Sequence, residues 1–239
     1  KEFDGLSNII KEGITDVHGS ECPAADSLVI DWDAAVDATV GGLTLPQQFH
    51  DVVYSRDELA DQTGFDSFAG MFVMDRRLFR ALAFVFACSY ANARCGDGEA
   101  GTPISREMSA LEARFNEMML GQYLLIGGRR IPVSFTSGTE VTDNYDGTFT
   151  SDVFYVPMAW GGGDLTYMQY FPLNNQYINE WLALSNTTDR QVLNNGLYMI
   201  GSRSNGFCDQ LLVASKMRLM IDTPFLGARI DGITFTSHA

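Results

Sequence analysis

Met71-Phe72-Val73-Met74-Asp75-Arg76-Arg77-Leu78-Phe79 changes its period halfway through. The four apolar residues that open it, followed at once by a charged turn, read as a short buried strand. Asp75 then stands where a helix cap belongs. Leu78, Phe79, Leu82, Val85, Phe86 and Ser89 continue as a wide stripe at helical spacing, so the strand hands over directly to a buried helix. Arg76, Arg77 and Arg80 crowd the first turn of that helix. Cations there oppose the helix dipole, which implies partners outside the helix.

Upstream, Thr44 is a good cap with Pro46 in the first turn, and Leu45, Phe49, Val52, Val53 and Leu59 recur on one face of a helix. Further back, Phe3-Asp4-Gly5 is a tight turn before the apolar pair Ile9-Ile10. Downstream, a Gly/Asp loop from Gly96 to Gly101 precedes a third helix. Ser105 caps it, and Met108, Leu111, Phe115 and Met118 form its buried face. The period then changes. Leu124 to Ile126 and Arg129 to Val133 flank Gly127-Gly128 as a hairpin. Asp146-Gly147 turns into a strand from Thr148 to Val156, and Gly161-Gly162-Gly163-Asp164 turns into another from Leu165 to Phe171.

A short helical patch around Ile178 to Leu184 comes before Phe207 to Ile221, whose odd positions are mostly apolar. Period two over that length predicts a long strand, about 50 Å when extended. A last strand covers Arg229 to Phe235. Helices with a few strands come first and mostly strands follow, which predicts an α+β fold.

The 239 residues are 46% hydrophobic, enough for a sizeable core, and carry 16 basic against 30 acidic side chains. A formal charge of −14 disfavours non-specific binding to nucleic acid or anionic membrane. Cys22, Cys88, Cys95 and Cys208 contain no CxxC pair. Cys88 and Cys95, read as two turns apart in one helix, are too distant to bridge, so four reduced thiols in a cytoplasmic protein are expected. The uncharged run Ala81 to Ala93 is too short to span a bilayer. No signal-peptide pattern is present, and a start at Lys1 in place of Met implies a preceding segment.

No catalytic, cofactor or metal-binding residue is expected. There is no GxSxG, and His18, His50 and His238 stand in ordinary contexts. His50 and Asp51 are adjacent on a helix, where neighbours do not face each other. Asp143, Tyr145 and Asp146-Gly147 faintly resemble a calcium loop but lack its acidic spacing and closing Glu, and a hairpin turn accounts for them. The glycine runs lead into strands, with no helix N-terminus to hold phosphate. Trp32, Trp160, Trp181 and the strand tyrosines read as core or subunit interface.

Four segments together resemble the major capsid proteins of tailed bacteriophages, the HK97 fold. Glu2-Phe3-Asp4-Gly5-Leu6 with Ile9-Ile10 looks like the approach to the family's axial domain. Met71 to Phe79 is similar to its buried strand and following helix. Gly127 to Val133 looks like the strand crossing the domain core. Asn205-Gly206-Phe207, through Met217-Arg218-Leu219, to Thr223-Pro224-Phe225 resembles the long returning strand and the closing segment.

The resemblance implies an axial-domain-like body over 1–190, whose central sheet is flanked by helices, and returning strands over 191–239 shared between it and part of a peripheral domain. The family's N-terminal arm, extended loop and spine helix would precede Lys1, so no cross-linking lysine can be placed. It further implies a non-enzymatic subunit, made in a bacterial cytoplasm and resident in the virion. Such a subunit assembles with copies of itself into pentamers and hexamers enclosing double-stranded DNA without gripping it. Scaffolding, portal and decoration proteins are its further partners, and no cofactor or membrane is involved. Arg76, Arg77 and Arg80 are the subunit-interface candidates. An encapsulin-like compartment and an α+β enzyme using acidic residues are the alternatives.

Overall fold

A computed structural model describes residues 6–15, 18–65, 68–90, 105–136, 141–160, 163–171, 191–192, 197–204 and 209–236. Within those spans the backbone alone is described at 89–90, 105–109, 160, 167–171, 191–192, 197–204 and 209–218. The fold is mixed α+β. In chain order the elements are α1 (Leu6–Ile9), β1 (Leu28–Ala35), β2 (Thr39–Val40), β3 (Leu43–Thr44), α2 (Leu45–Thr63), β4 (Ala69–Met74), α3 (Arg76–Tyr90) and α4 (Ser105–Gly121). There follow β5 (Tyr123–Ile126), β6 (Arg129–Phe135), β7 (Val141–Asp143), β8 (Thr148–Trp160), β9 (Gly163–Asp164), β10 (Thr166–Phe171), β11 (Gln191–Val192), β12 (Leu197–Ser204), β13 (Asp209–Ile221) and β14 (Ala228–Thr236).

The chain divides into two compact units. One comprises Leu6–Leu165 with Ile221–Ala239; the other covers Thr166–Met220. The boundary expected at 190 abuts residues 172–190, which lie outside the described residues, as does the helical patch expected around 178–184.

The larger unit is built on a mixed sheet ordered β1-β14-β8-β4-β6-β5, with β7 and β9 also paired to β8. The Met71–Met74 run belongs to β4, between antiparallel β8 and parallel β6. Its unbroken apolar character follows from burial on both faces. Phe72 and Met74 enter the main core with Tyr155, Val133 and the apolar stripes of α2, α3 and α4, whereas Val73 joins Phe154, Val156 and Ile10 on the opposite face. Leu78, Phe79, Leu82 and Phe86 of α3 are buried as the stripe predicts.

Local signals set the boundaries. At the start of α2 the Thr44 backbone N–H donates to Gln47 Oε1 at 2.8 Å, and its hydroxyl donates to the same oxygen at 3.0 Å. Gly64, with φ of 83°, closes that helix. The β5–β6 hairpin turns at Gly127 and Gly128, both with positive φ, and pairs Ile126 with Arg129.

Two strands change the sequence-based picture. β1 was not expected; it runs parallel to β14, with Ile30 beside Ile230 and Asp31 beside Asp231. The C-terminal strand β14 therefore lies inside the sheet, between β1 and β8. The smaller unit is a sheet ordered β10-β13-β12-β11. The long strand appears in it as β13, thirteen residues, while Phe207 lies outside the described residues.

The cysteine expectation is corrected. The described part of α3 is Arg76–Tyr90, Cys95 lies outside the described residues, and the expectation of four reduced thiols fails at Cys88. Cys88 is disulfide-bonded, with a partner outside the described residues; Cys22 is free. The reduced-thiol argument for a cytoplasmic protein goes with it.

Candidate assembly surface

The three candidate arginines project from the first turns of α3, where β4 ends, and all three are exposed. Asp75 holds one of them. Its Oδ1 accepts the Arg77 backbone N–H at 2.7 Å, which is the expected cap, and Arg77 Nε at 3.2 Å. The Arg77 guanidinium also lies 5.0 Å from the centroid of the Phe149 ring, and that of Arg76 lies 5.9 Å from the Phe135 ring. Cation–π contact fixes both heads against the sheet without cancelling their charge. Among the described residues neither Arg76 nor Arg80 forms an ion pair. Two cations thus sit at a helix N-terminus with no acid paired to them among the described residues.

A second charged surface, which sequence reading missed, joins α4 to the β5–β6 hairpin. Glu117 accepts from Arg114 at 2.7 Å, from Arg130 at 2.9 Å and from the Tyr123 hydroxyl at 2.6 Å. The Tyr123 and Arg114 hydrogen bonds hold the Glu117 carboxyl below its ordinary value, while burial and the same carboxylate push the Tyr123 phenol up. Nearby, Arg129 pairs with Asp57 of α2. The signals were present as the i,i+3 pair Arg114/Glu117 and the two arginines after the glycines, but nothing in the linear order joins them.

His50 does meet Asp51, at 3.4 Å, despite their adjacency; both are exposed, and the imidazole stacks on Tyr54 with centroids 4.2 Å apart. His238 lies outside the described residues. In the Asp143–Gly147 turn, Asp143 accepts the Tyr145 N–H at 2.8 Å. Asp146 accepts the Thr148 N–H and hydroxyl at 2.8 and 2.6 Å, so both carboxylates serve the turn. Among the described residues no three His, Cys, Asp or Glu side chains are grouped to hold a metal ion, and no helix is long and apolar enough to cross a membrane.

Neither a family model nor a curated protein matches the chain.

Proposed function

We propose that this chain is a structural, non-enzymatic subunit of the icosahedral capsid of a tailed bacteriophage, with the HK97 fold, that assembles into pentamers and hexamers around double-stranded DNA. The observation that carries this reading is the path of the chain. It leaves the larger unit at Leu165, forms a separate small sheet ending in the long β13, and re-enters at Ile221 to place β14 between β1 and β8. That order matches the axial body, returning strand and closing segment which the sequence resemblance implies.

The exposed Arg76 and Arg80 support the assembly half of the proposal. In a chain with fourteen more acids than bases, cations that pair with no acid among the described residues are suited to carboxylates of a neighbouring copy. An arginine edge meeting a different, acidic surface is a head-to-tail contact, which closes into rings or runs on as a filament, and a shell of pentamers and hexamers takes the closed form.

Electron microscopy of the full-length protein tests the reading. Closed shells are expected from the wild type. Arg76→Glu/Arg77→Glu/Arg80→Glu should leave a folded monomer that forms no shells. A wild type that stays monomeric at high concentration overturns the proposal, and shells loaded with a protein cargo in place of DNA redirect it to an encapsulin-like compartment.

A further inference from the structure

One group of charges in the larger unit has no place in the assembly surface. On the sheet face opposite the helices, Arg229 of β14 lies over Phe154 of β8, its register partner, with 5.6 Å from guanidinium to ring centroid. Its Nη2 donates to Asp152 Oδ2 at 2.9 Å, and Asp152 Oδ1 accepts the Gly232 backbone N–H at 3.2 Å. Arg229 Nε forms an ion pair with Asp231 Oδ1, and these two buried atoms meet no other hydrogen-bond partner among the described residues. On the neighbouring parallel strand the residue in register with Asp231 is another acid, Asp31. The register of β1 and β14 slips just beyond this pair, and Asp33, at φ of 41°, fills the space that a side chain on Gly232 would need.

We propose that Asp31, Asp152, Asp231 and Arg229 form a proton-operated clasp that holds β1 on β14 when it carries a proton and loosens that pairing when the proton leaves. Asp152 and Asp231 share the Arg229 guanidinium, and the exposed Asp31 stands in register with Asp231 across the junction, so one negative charge beyond neutrality is left on each side. Like charges directly opposite on adjacent strands destabilise their pairing. Protonating Asp231 removes the repulsion and gives its carboxyl a hydrogen to donate. The groups facing Asp231 are Asp31 from β1, Asp152 from β8 and Arg229 from its own strand; α1, packed further along this face, carries no charge. Burial and the Asp152 charge push the Asp231 carboxyl up to about 6, with Arg229 opposing and Asp31 adding to the rise. β1 is the terminal strand of the sheet, so it can part from β14 without disturbing β8 or β4.

The sign follows from linkage. Closed, the clasp keeps a proton that Asp231 holds less tightly once β1 has parted and water reaches the carboxyl, so closure is favoured at acid pH and weakens as pH rises through about 6. Hydrogen exchange on the full chain, corrected for intrinsic rates, reads this directly. Between pH 3.5 and 7.5 the amides of β1 should lose protection relative to those of β4, by up to about tenfold for each pKa unit separating the two states. Asp231→Asn should flatten that trend and raise β1 protection at pH 7.5. Parallel behaviour of β1 and β4 in the wild type, or an unchanged trend in the variant, overturns the proposal. Carbon-13 carboxyl shifts decide it independently of any variant: Asp231 titrating in the ordinary aspartate range overturns it, and a midpoint near 6 supports it.

Discussion

Phe72 and Tyr155 stand opposite each other across β4 and β8, with ring centroids 5.0 Å apart and planes tilted by 50°. Phe72 also meets Phe49 of α2 at 4.9 Å, so one ring ties the central strand to its sheet neighbour and to the covering helix. Tyr155 extends along the sheet until its ring lies against Gly70, and a Cβ on Gly70 would overlap that ring.

Gly70→Ala therefore forces a buried, aromatic-packed side chain to shift. Overpacking of this kind costs about 1–3 kcal/mol. We expect a lower denaturant midpoint with an unchanged slope; a midpoint equal to wild type would place Tyr155 elsewhere.

Tyr155 also governs the alkaline limb of stability. Burial, then the Asp57 carboxylate, holds its phenol far above the ordinary tyrosine value, with Arg129 opposing. In the unfolded chain it ionises near pH ~10. Above that pH the unfolded state has released a proton that the native state keeps, so stability falls as pH rises. Tyr155→Phe removes this loss. Chemical denaturation of both proteins at pH 8 and 11 should show the variant losing less stability over the interval.

Much of the larger unit was legible because its signals are local. Thr44 with Pro46 marks a helix start, Gly127-Gly128 marks a hairpin, and the Phe72–Met74 run marks a strand covered on both faces. β1 was missed because its apolar residues Leu28, Ile30 and Trp32 alternate with Asp31 and Asp33, and only the distant β14 gives that alternation a partner. The arginine edge was visible as a violation of the helix dipole. The Arg229 cluster was not, since it assembles from strands far apart in sequence, and the Glu117 cluster was not because only the turn from α4 into the β5–β6 hairpin brings its members together.

Cys88 gives a prediction opposite to the one its spacing suggested. A single bridge withdraws two thiols from the four cysteines. Alkylation of the denatured protein should label at most two cysteines before reduction and four after it. Four labels without reduction would show the bridge to be absent.

Leu82 is the most direct probe of the core. It is fully buried midway along α3, among side chains of α2, α4 and the sheet. Leu82→Ala should destabilise by roughly 2–5 kcal/mol, as buried truncations do. Leu82→Asp is harsher, because a carboxylate there has no cation to pair with and several kcal/mol of desolvation are uncompensated. Against a total stability of about 5–15 kcal/mol, that change should abolish the folded state and leave the protein in the insoluble fraction. The alanine variant keeps the test quantitative where the aspartate variant yields no protein. If Leu82→Ala melts cooperatively within a degree or two of wild type, α3 does not bury this face.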